Sequence, residues 1–155
     1  MTLSVLFVCL GNICRSPLAE AAMRRQADAV GLDVEVDSAG TGDWHIGSPP
    51  DRRAIAVARR NGIDITPMRA RQVTAADFAR FDHIIALDRD NLHALEVLQP
   101  PGSRARLSLL LDHVEGRAGE PVADPYYGGD EQFDVTWADV WEATGALAQE
   151  LKGRR

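Results

Sequence analysis

The feature that most constrains this chain is the alternation of short strand-type runs with helical stretches. Residues 3–8, Leu-Ser-Val-Leu-Phe-Val, form an apolar run with β-branched and aromatic members, the pattern of a strand covered on both faces. A helix is expected next, with Ser16 as N-cap and Pro17 at its first position. It places Leu18, Ala21, Ala22 and Val30 on one face and ends at Gly31. A second strand is expected at Val34–Ser38, then a Gly/Pro-rich loop over 39–50 and a helix opened by Asp51 and closed at Asn61 and Gly62. Residues 63–72 lead to a short helix begun by Thr74. The run 82–87 reads as a third buried strand, followed by a helix over 89–98 and a Pro-Pro-Gly stop at 100–102. Residues 105–111 make the fourth strand, and a long loop over 112–129 leads to a final helix reaching about Lys152.

Strands separated by helices must run parallel, and each right-handed crossover covers one side of the sheet. The expected fold is therefore an α/β three-layer sandwich, a doubly wound four-stranded parallel sheet with helices on both faces. Function in such sheets sits at the carboxyl ends of the strands. Cys9, Ala39, Asp88 and the 112–129 loop fall there.

Composition narrows the chemistry. With 155 residues, 45% hydrophobic and 26% charged, the chain supports one core, and a single domain over 1–155 is expected. No stretch approaches the roughly 18 apolar residues of a membrane span, and the N-terminus lacks a basic-then-apolar signal pattern. The cytoplasm is the expected compartment, with no membrane partner. A net charge of −6 argues against a nucleic-acid surface. The cations are 16 arginines and one lysine, Lys152, so phosphate chemistry here must use guanidinium groups, and a Walker phosphate loop is excluded. Two cysteines, Cys9 and Cys14, are too few for a secreted disulfide scaffold. With His45, His83, His93 and His113 they form no zinc-type spacing, so no metal is expected and the histidines read as surface or structural.

The segment Cys9, Leu10, Gly11, Asn12, Ile13, Cys14, Arg15, Ser16 joins the end of a strand to the start of a helix, where free backbone N–H groups and the positive helix end converge on an anion. Gly11 and Asn12 tolerate the left-handed backbone of a tight concave loop. Arg15 suits bidentate contact with two phosphate oxygens, which lysine does not imitate. The same field favours thiolate over thiol at Cys9 and is expected to lower its pKa, giving a nucleophile at neutral pH. The Ser16 hydroxyl is placed to donate to the sulfur.

The run from Val8 to Pro17, Val-Cys-Leu-Gly-Asn-Ile-Cys-Arg-Ser-Pro, resembles the signature of the low-molecular-weight protein tyrosine phosphatases. The similarity extends through Asp37 to Gly40, Asp43-Trp44, Ala70 to Gln72, Leu87-Asp88, Asn91-Leu92 and Asp124 to Gly128. It implies a flavodoxin-like fold and cofactor-free, metal-independent hydrolysis of phosphotyrosine in proteins. In that scheme Cys9 attacks phosphorus and water hydrolyses the phosphocysteine. A phosphomonoester also needs its leaving oxygen protonated, which the thiolate cannot do. Asp124 is the candidate acid, its backbone biased towards an extended shape by Pro125. The resemblance also places Trp44, Tyr126 and Tyr127 around the substrate ring, implies that the paired tyrosines can themselves be phosphorylated, and has Asn12 and Ser38 brace the loop. Asp88 reads either as the aspartate beneath the site or as the cap of the helix at Arg89. Met68 stands where many relatives carry histidine, so a buried histidine network is not expected.

Rival readings use the same loop. Arsenate reductases of this fold need further cysteines, and none follows Cys14. Phosphoarginine phosphatases commonly have threonine where this loop has Ile13, whose side chain suits an aryl group. A binding module without catalysis would keep Arg15 and lose the thiol or the acid, but Cys9 and Asp124 are both present. A reversible Cys9–Cys14 disulfide is a further expectation, because an activated thiolate is readily oxidised. The expected partners are phosphotyrosine-containing proteins, with the chain a monomer or weak homodimer.

Overall fold

The computed structural model describes residues 2–153. It contains β1 (Leu3–Cys9), α1 (Arg15–Val30), β2 (Val34–Gly40), α2 (Arg52–Arg60), α3 (Asp77–Arg80), β3 (His83–Ala86), α4 (Arg89–Leu98), β4 (Arg106–Leu109) and α5 (Asp130–Gly153). All strand pairs are parallel, in the order β2-β1-β3-β4. The expected doubly wound sheet is therefore present. The chain winds from β1 outward to β2, then crosses to β3 and β4 on the other side. That reversal opens a crevice at the carboxyl ends of β1 and β3.

β1 is central, and its period-2 alternation feeds two cores. Val5, Phe7 and Cys9 face one side with Leu18, Met23, Leu147 and Leu151 of α1 and α5. Leu6 and Val8 face the other, with Phe78, Ile84, Leu95 and Leu109. This double burial is why the first strand reads as a continuous apolar run. No helix among the described residues is long and apolar enough to cross a membrane.

Several boundaries depart from expectation. Helix α1 begins at Arg15 with Cys14 as N-cap and no side-chain capping bond, so Ser16 is not its cap and Pro17 is its third residue rather than its first. The reason is chemical: the Ser16 hydroxyl sits 3.0 Å from the Cys9 sulfur. The fourth strand stops at Leu109, and Leu110–His113 form a 3₁₀ turn in which the Asp112 carboxylate accepts from the Leu109 N–H. Leu110 and Leu111 are buried either way, so apolarity does not mark the change. Helix α3 starts three residues after Thr74, which opens a hydrogen-bonded turn instead. The second strand also runs two residues past the expected Ser38, to Gly40, whereas Gly31 closes α1 at φ 70° and Asp51 caps α2 by accepting from the Arg53 N–H, as expected.

Candidate active site

The loop between β1 and α1 wraps its main chain around one point. Asn12 carries the single positive φ of a non-glycine residue among those described, 57°, which turns its N–H towards Cys9 Sγ at 3.3 Å. Its side chain points away from the cavity. Asn12 Oδ1 accepts from the Arg71 N–H at 3.0 Å, which fixes the amide orientation, and Nδ2 donates to Ser16 Oγ at 2.8 Å and Ser38 Oγ at 3.0 Å. That orientation sets the direction of the bonds to both hydroxyls. Ser38 Oγ receives from Asn12 and donates to Glu20 Oε1 at 2.6 Å. Ser16 Oγ likewise receives from Asn12; it lies 3.0 Å from the Cys9 sulfur, to which it donates when Cys9 is a thiolate, and 3.5 Å from the Ala39 carbonyl. The expected bracing by Asn12 and Ser38 is thus present, extended by one carboxylate, Glu20. Burial pushes the Glu20 carboxyl up, and the bonds from Ser38 and Arg24 offset only part of that.

Arg15 forms the side of the cradle. It is 3% exposed, and Nη1 donates to Asp88 Oδ2 and to the Val122 carbonyl, both at 2.8 Å. A buried guanidinium requires such a partner. Asp88 fills both roles read from the sequence, because its other oxygen accepts from the Asn91 N–H and caps α4. Across the mouth, Asp124 Oδ2 lies 3.7 Å from Arg15 Nη2, on a side chain 45% exposed to solvent.

These groups line a cavity of about 210 Å³ with Leu10, Gly11, Ile13, Cys14, Trp44, His45, Tyr126 and Tyr127. Every expected catalytic and substrate-lining residue is therefore at one place. Of the loop residues, Asn12 and Ser16 act from behind the cavity wall through the network just described. Trp44 is 71% exposed and folds its ring over Gly42, so it caps no core edge. Tyr126 and Tyr127 meet edge to face at 5.0 Å. The second thiol, Cys14, is raised by burial and then by the charge of Asp51, and both cysteines are unbridged.

The expectation for the histidines needs correcting at one position. His113 is structural, its ring between Ser108 and Glu150. His45 instead forms part of the cavity wall and packs so tightly on Gly11 that a Cβ there would lie 3.0 Å from its ring. Met68 sits beside Asn12, Pro17, Glu20 and Ser38 around a second, polar cavity of about 80 Å³, where the hydrogen-bond chain reaches Glu20, whose other oxygen pairs with Arg24 at 2.6 Å. Among the described residues no cluster of three or more His, Cys, Asp or Glu side chains has a metal-holding arrangement.

The family model for low molecular weight phosphotyrosine protein phosphatase matches residues 4–155. A low molecular weight phosphotyrosine protein phosphatase of Schizosaccharomyces pombe is 45% identical over 134 residues, covering 84% of this chain and 85% of the relative. The crystal structure of a protein tyrosine phosphatase from Entamoeba histolytica superposes with a TM-score of 0.92 at 34% identity, over 98% of both chains. The structure of a Drosophila arginine phosphatase reaches 0.89 at 33% identity, over 96% and 97% of the two chains. With a whole-chain family match and a cradle in which thiol, guanidinium and carboxylate converge, this chain belongs to the low molecular weight phosphotyrosine protein phosphatase family.

Proposed function

We propose that the cavity hydrolyses aryl phosphate monoesters, chiefly phosphotyrosine in proteins, through a phosphocysteine intermediate and without a metal ion. The observation that carries this reading is the convergence on one cavity floor of Cys9 Sγ, held by the Ser16 hydroxyl at 3.0 Å and the Asn12 N–H at 3.3 Å, with Arg15 and Asp124 at its edge. The substrate dianion sits on the loop N–H groups and the free edge of the Arg15 guanidinium. Cys9 acts as thiolate: Sγ forms the bond to phosphorus as the P–O bond to the aryl group breaks, and the leaving oxygen takes the proton of the Asp124 carboxyl. Asp124, now ionised, removes a proton from water, whose oxygen attacks phosphorus and expels the thiolate. The Ser16 hydroxyl, 3.0 Å from the sulfur, donates to the thiolate and stabilises the charge that returns there.

Leu10, Ile13, Trp44, Tyr126 and Tyr127 supply apolar walls for an aromatic ring. Ile13 presents no hydroxyl to a guanidinium, which favours phosphotyrosine over phosphoarginine. Release of p-nitrophenol from its phosphate should persist in chelator, vanish in Cys9→Ser and fall about 100-fold or more in Asp124→Ala. Full activity in the serine variant would reject the mechanism, and faster turnover of phosphoarginyl than phosphotyrosyl peptide would reject the substrate class.

A further inference from the structure

The proposed reaction requires Asp124 to stand at a fixed distance from Cys9, yet the two lie on loops from opposite ends of the chain. Few contacts hold the acid loop. Within residues 124–128 the Tyr126 N–H donates to Asp124 Oδ1 and the Gly128 N–H to the Pro125 carbonyl, both internal to the segment. Among the described residues, the hydrogen bonds reaching its backbone from elsewhere come from one side chain, Arg53. Its Nη2 donates to the Tyr126 carbonyl at 2.8 Å and its Nη1 to the Gly128 carbonyl at 2.7 Å.

Arg53 is itself held at the other edge. Nε and Nη2 donate to the two carboxylate oxygens of Asp51 at 3.1 and 3.0 Å, while the guanidinium lies over the Phe133 ring at 4.7 Å and faces the Tyr126 ring at 5.7 Å. Asp51 is tied to the phosphate loop, its N–H donating to the Ile13 carbonyl at 2.8 Å. Burial pushes the Asp51 carboxyl up, but the bonds from Arg53 outweigh it and leave it below the usual carboxylate range. The carboxylate is therefore ionised at neutral pH.

We propose that Asp51 and Arg53 form a bracket spanning the two loops, with Arg53 the positioning residue that sets where Asp124 delivers its proton. The inference rests on the reading of Asp124 as general acid. Only a planar fork serves here, because one group must meet a carboxylate and two carbonyls in three directions at once, and a lysine ammonium offers its donors from a single point. A bracket that merely stabilised the fold would scale all substrates alike. One that places the acid makes the rate depend on how badly the leaving group needs a proton.

The test measures kcat/KM, which reports formation of the phosphocysteine, over aryl phosphates from p-nitrophenyl to phenyl phosphate. Arg53→Lys, and separately Asp51→Asn, should lose about 10-fold on phenyl phosphate while staying within about 3-fold on p-nitrophenyl phosphate. The inhibition constant of inorganic phosphate should not move. In an Asp124→Ala background, Arg53→Lys should cost less than about 2-fold, since the group it positions is gone. Equal losses across the series, no loss at all, or a full loss persisting without Asp124 would overturn the bracket. Should Asp124→Ala itself leave the leaving-group dependence flat, the functional reading falls. Should it steepen the dependence while neither bracket variant does, this inference alone fails.

Discussion

Gly40, the last residue of β2, offers a direct measure of how tightly the proposed phosphate cradle is held. A Cβ at this position would lie 2.7 Å from the Leu10 carbonyl oxygen, 3.1 Å from Gly11 C and 3.2 Å from Asn12 N, all backbone atoms of the loop. Optimal contacts begin near 3.5 Å, so Gly40→Ala must open this gap by roughly 0.5 Å or more. The strand cannot retreat. Gly40 N–H donates to the Arg71 carbonyl and its own carbonyl accepts from Val73, each at 2.8 Å, while Thr41 and Gly42 donate back to Cys9 and Leu10 at 2.9 Å. The loop carrying Cys9, the proposed nucleophile, gives instead. Overpacking of this kind costs about 1–3 kcal/mol of stability. Because a displacement of about 1 Å at a reacting centre costs on the order of 100-fold, half of that should reduce kcat/KM by about 10-fold. The assay is p-nitrophenyl phosphate turnover, with the inhibition constant of inorganic phosphate and denaturant unfolding beside it. Activity within about 2-fold of the native chain, at unchanged phosphate affinity, would refute the claim that backbone contact at Gly40 shapes the cradle.

Substitutions at two other positions probe the network. The raised Glu20 carboxyl means that the folded protein binds more protons than the unfolded chain above the ordinary value of 4.5, so ionised Glu20 costs stability as pH rises through the window from 4.5 to its folded value. Glu20→Gln should therefore gain stability relative to the native chain across that window and level off above it; a difference independent of pH in thermal unfolding would contradict this. Asp88→Ser keeps an oxygen to cap α4 but removes the partner of Arg15. It should lower kcat/KM by about 10-fold, and Asp88→Ala should be about 1 kcal/mol less stable than the serine variant, the worth of the cap. Equal unfolding midpoints for the two would deny Asp88 its second role.

The parts of the site that were legible in the sequence are those that local chain geometry decides. Cys9 to Ser16 lie within eight residues at a strand-to-helix junction, where backbone donors and a helix terminus coincide by construction. The strand alternation likewise anticipated both cores, because Val5 and Phe7 cannot share a face with Leu6 and Val8. Ser16 misled because its hydroxyl oxygen, which a cap would offer to a helix N–H, instead accepts from Asn12 Nδ2 and faces the Cys9 sulfur. Glu20, His45 and Arg53 were not identified, since each acts through tertiary approach: Glu20 meets Ser38 on a neighbouring strand, His45 folds over Gly11, and Arg53 reaches the acid loop. Some signal was present. Glu20 falls four residues after Ser16 on the buried side of α1, and Asp51 stands two residues before Arg53 at a helix start.

The placement of the three tryptophans has an optical consequence. Trp44 belongs to the cavity wall and meets solvent, whereas Trp137 and Trp141 stack on each other along α5, 5.8 Å between ring centroids, and are not part of that wall. Occupancy of the mouth should then modulate the emission of one indole while the coupled pair supplies a steady internal reference. Ligand titrations followed by intrinsic fluorescence need no label on this protein.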